Sequence, residues 1–194
     1  MILHRQKDDV SLPSQPDLNA EPSSGASLHF RPPVSTDGPA VTALISRCPP
    51  LDRNSAYCNL IQCTHFADQC VIAELGDRIV GWVSGHRPAS DPRAFFVWQV
   101  AVAAEGRGKG LASQMIKSLL TRSAQHDVTH LITTITDGNK ASWALFRGLA
   151  RDWDAELERS ALFEREVHFA GAYPTEYQAR IGPLTFSKIQ KAQG

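Results

Sequence analysis

Three glycines at alternate positions, Gly106, Gly108 and Gly110, follow the apolar run Phe95 to Val102 and lead into a segment with helical apolar spacing. Residues without a Cβ let successive backbone N–H groups converge on an anion. A helix start adds partial positive charge from its unpaired amides, worth about 0.3–1 kcal/mol per anion at exposed sites. A pyrophosphate suits such a cradle. The spacing is neither GxxxxGK[ST] nor GxGxxG, which counts against both common nucleotide loops. A tight strand-to-helix turn without a ligand is the plain alternative.

The segments that must position this loop follow from apolar period. Phe95 to Val102 reads as a buried strand, and a helix from about Lys109 to Ser123 places Leu111, Met115, Ile116, Leu119 and Leu120 on one face. Upstream, Leu28 to Arg31 alternates as a strand, Asp37 and Gly38 open a helix carrying Val41, Leu44 and Ile45, and Cys48-Pro49-Pro50 ends it. A loop from Leu51, rich in N-cap residue types, leads into a second short helix reaching about Phe66. Val71 to Leu75 and Arg78 to Gly85 form a hairpin about Gly76-Asp77. Downstream come a strand over His130 to Ile135, a helix capped by Asn139 and ending near Ala150, and late strands near Ala161 to Val167 and Tyr177 to Ile181. Pro13, Pro16 and Pro22 in a Ser-rich setting predict a disordered tail over residues 1–27, with 28–194 as one domain.

Lysine plus arginine number 20 and aspartate plus glutamate 20, so the chain is formally neutral and has no basic footprint for nucleic acid. Hydrophobic residues make up 42 %, yet no apolar run approaches the roughly 20 residues that span a bilayer, so no membrane partner is expected. The start MILHRQKDDV lacks the apolar core of a secretory leader, which predicts the cytoplasm. Cys48, Cys58, Cys63 and Cys70 form no CxxC pair and no zinc spacing, so they read as reduced structural thiols and no metal is expected.

The run Glu105-Gly106-Arg107-Gly108-Lys109-Gly110 resembles the Q/R-x-x-G-x-G/A motif of the GNAT acetyltransferases, with glutamate at the first position and both pattern glycines, Gly108 and Gly110, present. Four further stretches narrow the likeness: Cys48 to Tyr57, Val97 to Val102, Thr133 to Thr136 with Asn139 to Trp143, and Arg180 to Pro183. Together they resemble the diaminobutyrate acetyltransferases of ectoine biosynthesis over about Leu28 to Leu184. The resemblance implies an α/β fold of the α+β kind: a mixed, mostly antiparallel sheet splayed centrally and flanked by helices, with acetyl-CoA in the wedge. The pyrophosphate would rest on the amides of Arg107, Gly108, Lys109, Gly110, Leu111 and Ala112. The backbone of Val100 and Val102 would bond the pantetheine arm, with Asn139 touching the same arm. It also implies a homodimer.

L-2,4-Diaminobutyrate carries two ammonium groups and a carboxylate, so its site needs acids, hydrogen-bond donors and an apolar wall. Asp52 and Glu176 are the expected acids, Trp98 and Tyr57 the aromatics, and Ser55 a donor to the carboxylate. Glu176, or a water held by it or by Asp52, is the expected base; His168 is a second base candidate and a substrate-site residue, with a satisfied structural histidine as its plain alternative. Tyr173 is the candidate acid for the leaving thiolate, since the position where many GNATs have tyrosine is Phe146; the alternative is that coenzyme A thiolate, a good leaving group, needs no acid. The family pattern has glutamate at Ile132, Pro-Asp at Asp137-Gly138 and histidine at Tyr173. A different small diamine or amino acid as acceptor, or a silent acyl-CoA-binding module, are the alternatives these departures raise.

Overall fold

The computed structural model describes residues 27–191. The expected tail over 1–27 lies outside the described residues except for Ser27. Seven strands, β1 (Leu28–Arg31), β2 (Cys70–Leu75), β3 (Arg78–His86), β4 (Ala94–Val102), β5 (His130–Thr136), β6 (Glu156–Phe163) and β7 (Glu176–Gly182), form one sheet in the order β1-β2-β3-β4-β5-β7-β6. Helices α1 (Gly38–Ser46) and α2 (Ala56–Thr64) precede β2. Helix α3 (Leu111–Leu120) joins β4 to β5, α4 (Lys140–Asp152) joins β5 to β6, α5 (Arg165–Phe169) joins β6 to β7, and α6 (Phe186–Lys191) follows.

Short turns make antiparallel neighbours of β2, β3 and β4, whereas the crossover through α3 makes β5 parallel to β4. The strand period of two then sorts side chains into two cores. Val71, Val83, Phe95, Val97 and Leu131 pack beneath α3 and α4, while Ile72, Trp82 and Ala101 pack beneath α1 and α2. Burial pushes the thiol of Cys70 up to about 12 and that of Cys63 to about 11, as inert core residues. Among the described residues, no helix is long and apolar enough to cross a membrane.

Two elements depart from the sequence expectation. The strand expected near Ala161 to Val167 runs instead over Glu156–Phe163, and residues 165–169 are helical. As an edge strand β6 exposes almost every side chain, so Glu156, Glu158 and Arg159 carry the charges that keep an edge from pairing and conceal its apolar alternation. Helix α3 starts at Leu111 rather than Lys109, because Gly110 takes a left-handed conformation with φ of 71°.

The feature that governs the site is the junction of β4 and β5. They pair only through Ala94–Phe96 with His130–Ile132 and diverge beyond it. At the point of divergence the buried Thr133 hydroxyl donates to the Val97 carbonyl at 2.9 Å. One residue later β4 carries a bulge: Ser84 pairs with Gln99 and Gly85 with Val97, leaving Trp98 extra.

Candidate functional site

The wedge between the diverging strands holds two cavities. The larger, about 530 Å³, is bounded by Cys48 to Leu51, by Val100 and Val102 of β4, by the glycine loop with the first turn of α3, and by Asn139 with the start of α4. The Ala103 amide bonds the Val80 carbonyl, so alternation along β4 turns the peptide groups of Val100 and Val102 away from β3 and into this cavity. The Val102 carbonyl already accepts from the Cys48 thiol at 3.4 Å and from Arg107 Nε at 3.1 Å. The acceptor of Val102 is thus already engaged within the chain.

Gly108 and Gly110 line the cavity with φ of 72° and 71°. A Cβ built at Gly108 meets nothing within 4 Å, so the space in front of it is open. Helix α3 has no side-chain cap, and its first amides have no intrahelical acceptor. Such a row of free donors fits a diphosphate, and the apolar walls from Leu51, Val100 and Leu145 fit the arm that would trail from it. Asn139 is the expected N-cap: its side chain accepts from the Ser142 amide at 3.0 Å. Lys109 also lines a separate hollow with Leu28, Leu75 and Gln114.

The smaller cavity, about 240 Å³, continues from the first and is lined by Asp52, Asn54, Trp98, Gln99, Thr134, Phe146 and Glu176 among others. Asp52 and Glu176, 124 residues apart in sequence by subtraction of their numbers, therefore face one space. Burial holds the Glu176 carboxyl above its ordinary value, a hydrogen bond with Thr134 opposes this, and the charge of Asp52 adds to the rise. Trp98 lines this cavity and also a hollow with Gln62, Phe66 and His86, its ring edge-on to His86 with centroids 6.1 Å apart.

Four other candidates fall outside both linings. Ser55 caps α2, its hydroxyl accepting from the Cys58 amide at 3.1 Å, and Tyr57 points to solvent with 72 % of its surface exposed. His168 caps its own short helix: its Nδ1 accepts from the Glu164 amide at 2.9 Å, and its ring lies against Phe163. Tyr173 is 66 % exposed and stacks edge-on against Phe169. The short helix α5, absent from the expected element list, explains both of the last two placements. Phe146 is buried in the wall of the smaller cavity, where it brings no acid. Ile132 is buried at the closed end of the wedge, paired with Phe96 and Arg180, and lies outside the lining. Asp137 faces outward and binds Arg159, whose guanidinium lies over the rings of Trp143 and Tyr177. Sequence reading missed Gln99, Asn54, Thr134 and Ser142. Their only signal is polar identity beside motif residues, which many surface residues share.

Comparison with known proteins settles the family. The model of the acetyltransferase (GNAT) family matches residues 39–150. The chain is 48 % identical to the L-2,4-diaminobutyric acid acetyltransferase of Methylotuvimicrobium alcaliphilum over 152 residues, covering 78 % of this chain and 88 % of that one. This chain belongs to the diaminobutyrate acetyltransferase family.

Another member, from Vibrio cholerae, is 46 % identical over 158 residues, covering 81 % of this chain and 91 % of that one. Among solved structures, the diaminobutyrate acetyltransferase of Paenibacillus lautus, in complex with L-2,4-diaminobutyric acid and coenzyme A, superposes with a TM-score of 0.77 at 36 % identity, covering 82 % of this chain and 96 % of that one. Ard1 of Thermoplasma volcanium, at 12 % identity and a TM-score of 0.64, shares the fold alone. As a member of the diaminobutyrate acetyltransferase family the chain is a GNAT acetyltransferase with a mixed, open seven-stranded sheet.

Proposed function

We propose that the chain transfers the acetyl group of acetyl-CoA to the 4-amino group of L-2,4-diaminobutyrate, the acetylation step of ectoine synthesis. The observation that carries the reading is the pair Asp52 and Glu176 on one cavity that opens into the amide-lined wedge. Two carboxylates suit an acceptor with two ammonium groups. The Paenibacillus lautus relative, which binds the same diamine and coenzyme A, supports the same choice.

Acetyl-CoA supplies an activated acyl carbon. An alkylammonium ion has a pKa near 10.4, so the attacking nitrogen must first lose a proton. Glu176, with its affinity for protons raised by burial, takes that proton directly or through one water. The nitrogen lone pair then forms the C–N bond, the C–S bond breaks, and the electron pair leaves on sulfur. Coenzyme A thiolate is a good leaving group and can depart without Tyr173 or Phe146 as an acid. Asp52 holds the second ammonium and Trp98 covers the methylenes, so most of the rate comes from placing amine and thioester together. The binding roles of Gly108, Gly110, Leu111, Ala112, Val100 and Asn139 toward the coenzyme belong to this proposal.

The test is acetyl-CoA consumption with diaminobutyrate, ornithine and diaminopropionate side by side, the product being identified by NMR. Diaminobutyrate is expected to give the highest kcat/KM and the N4-acetyl product; preference for another amine would overturn the reading. Asp52→Ala is expected to raise the KM for diaminobutyrate about tenfold, the worth of one charge-assisted bond. It also removes a charge that raises the Glu176 pKa, so the acidic limb of the rate profile moves to lower pH. Wild-type kinetics would remove Asp52 from the site.

The proposal includes a homodimer in the cytoplasm, the compartment that holds acetyl-CoA. Leu162, Phe163, Val167 and Tyr173 put exposed apolar surface on β6, α5 and the turn after it, which supports such an interface. Light scattering is expected to give twice the chain mass, and Phe163→Asp to give a monomer; a monomeric wild type would rule the dimer out.

A further inference from the structure

In a regular strand, Gln99 would project on the same face as Val97, two residues earlier, into the core beneath α3 and α4. The extra residue Trp98 reverses that parity. Val97 stays in the core under α3 and α4, whereas Ala101, beyond the bulge, belongs to the core under α1 and α2. Gln99 is thereby turned toward the face crossed by the loop between α1 and α2. There it is buried, 8 % exposed, and both ends of its amide are used. Its Nε2 donates to the Asp52 carbonyl at 2.8 Å, and its Oε1 accepts from Asn54 Nδ2 at 3.1 Å. Among the described residues, these two side-chain bonds tie the strand to the 52–54 loop, which has no regular structure of its own.

We infer that Gln99 is a positioning residue, aimed by the Trp98 bulge, that clamps the 52–54 loop and so fixes the Asp52 carboxylate over the acceptor cavity. The bonds go to the main chain of Asp52 and the side chain of Asn54, so the Asp52 carboxylate is left free for a ligand. A single amide thus sets the distance between the loop acid and Glu176, which stands on β7 across the same cavity. A glutamate in its place keeps the bond from Asn54 but, when ionised, sets an acceptor against the Asp52 carbonyl. This placement makes Gln99 a determinant of which diamine fits. The kinetic arms rest on the diamine reading above.

The experiment uses the full chain with Q99A, Q99E, D52A and the double variant Q99A/D52A. Q99A is expected to raise the KM for diaminobutyrate about tenfold, with the KM for acetyl-CoA changed less than about twofold, as loss of two net hydrogen bonds implies. In the double variant the two effects are expected to overlap, so that removing Gln99 costs little once Asp52 is gone. Independent, multiplying effects would overturn the inference, as would an unchanged KM in Q99A. If Q99A does not fold, Q99E, nearly the same in shape, carries the comparison. Hydrogen–deuterium exchange on the coenzyme-bound protein separates the clamp from the substrate assignment. Peptides covering residues 50–58 should exchange faster in Q99A, and equal exchange would refute the clamp even for an enzyme with another acceptor. A wild type that ignores diaminobutyrate but shows the faster exchange on mutation would sink the substrate reading and leave the clamp standing.

Discussion

Gly108→Glu is expected to abolish acetyl-CoA binding, with affinity falling more than about 100-fold by calorimetry. Two effects combine. The φ of 72° is a left-handed conformation that costs an L-residue about 1–2 kcal/mol. The larger effect is electrostatic: Gly108 lines the coenzyme cavity and the space before its Cα is open, so a carboxylate would stand where the diphosphate must lie. Gly108→Ala separates the two, because its methyl meets no atom within 4 Å and carries no charge. That variant should lose some thermal stability yet still bind coenzyme. Wild-type affinity in Gly108→Glu would show that the loop does not hold the phosphates.

Glu176→Gln is expected to lower kcat by about 10²–10⁴-fold, the usual worth of a positioned general base. Glutamine keeps the shape and the contact with Thr134, so the KM for acetyl-CoA should change little. The pH profile supplies a sharper check. Burial holds the Glu176 carboxyl above the ordinary glutamate value, so the base is lost as pH falls through that raised value. The acidic limb of wild-type kcat/KM should therefore lie above the usual range near 4.3 and vanish in Glu176→Gln. Stability runs the other way. A carboxyl with a raised folded-state pKa contributes stability that is fully present below its unfolded value and lost as pH rises through the folded one. The ionised Glu176 therefore weakens the fold at neutral pH, and Glu176→Gln should melt higher than wild type there and equally at low pH. A melting point below wild type at neutral pH, with unaltered turnover, would remove Glu176 as both buried acid and base.

The glycine loop was legible because its chemistry is local. Backbone donors, absent Cβ atoms and the following helix start lie within Gly106 to Ala112, so spacing alone pointed to an anion. Asn139 was equally legible, since a cap bonds its own helix three residues on. Lys109 lines a hollow of its own beside a turn of two left-handed glycines, a placement that residue order does not record. His168 and Tyr173 fall outside both cavity linings for a related reason. Helix α5 and the exposed edge strand β6 lack the apolar period that would announce them, so the residues after Phe163 were expected as a strand.

Sequence by itself determined the order of the elements up to α4, the apolar face of α3, the glycine-rich turn and the family, because each rests on near neighbours in the chain or on motif identity. Only the tertiary structure decided that Asp52 and Glu176 share a cavity and that β4 bulges at Trp98 to turn Gln99 onto the 52–54 loop. Those relations depend on strand register, and a shift of one residue reverses the face on which every later side chain appears. Register is fixed by pairing between strands, consecutive ones such as β3 and β4 or distant ones such as β5 and β7, which composition and spacing do not encode.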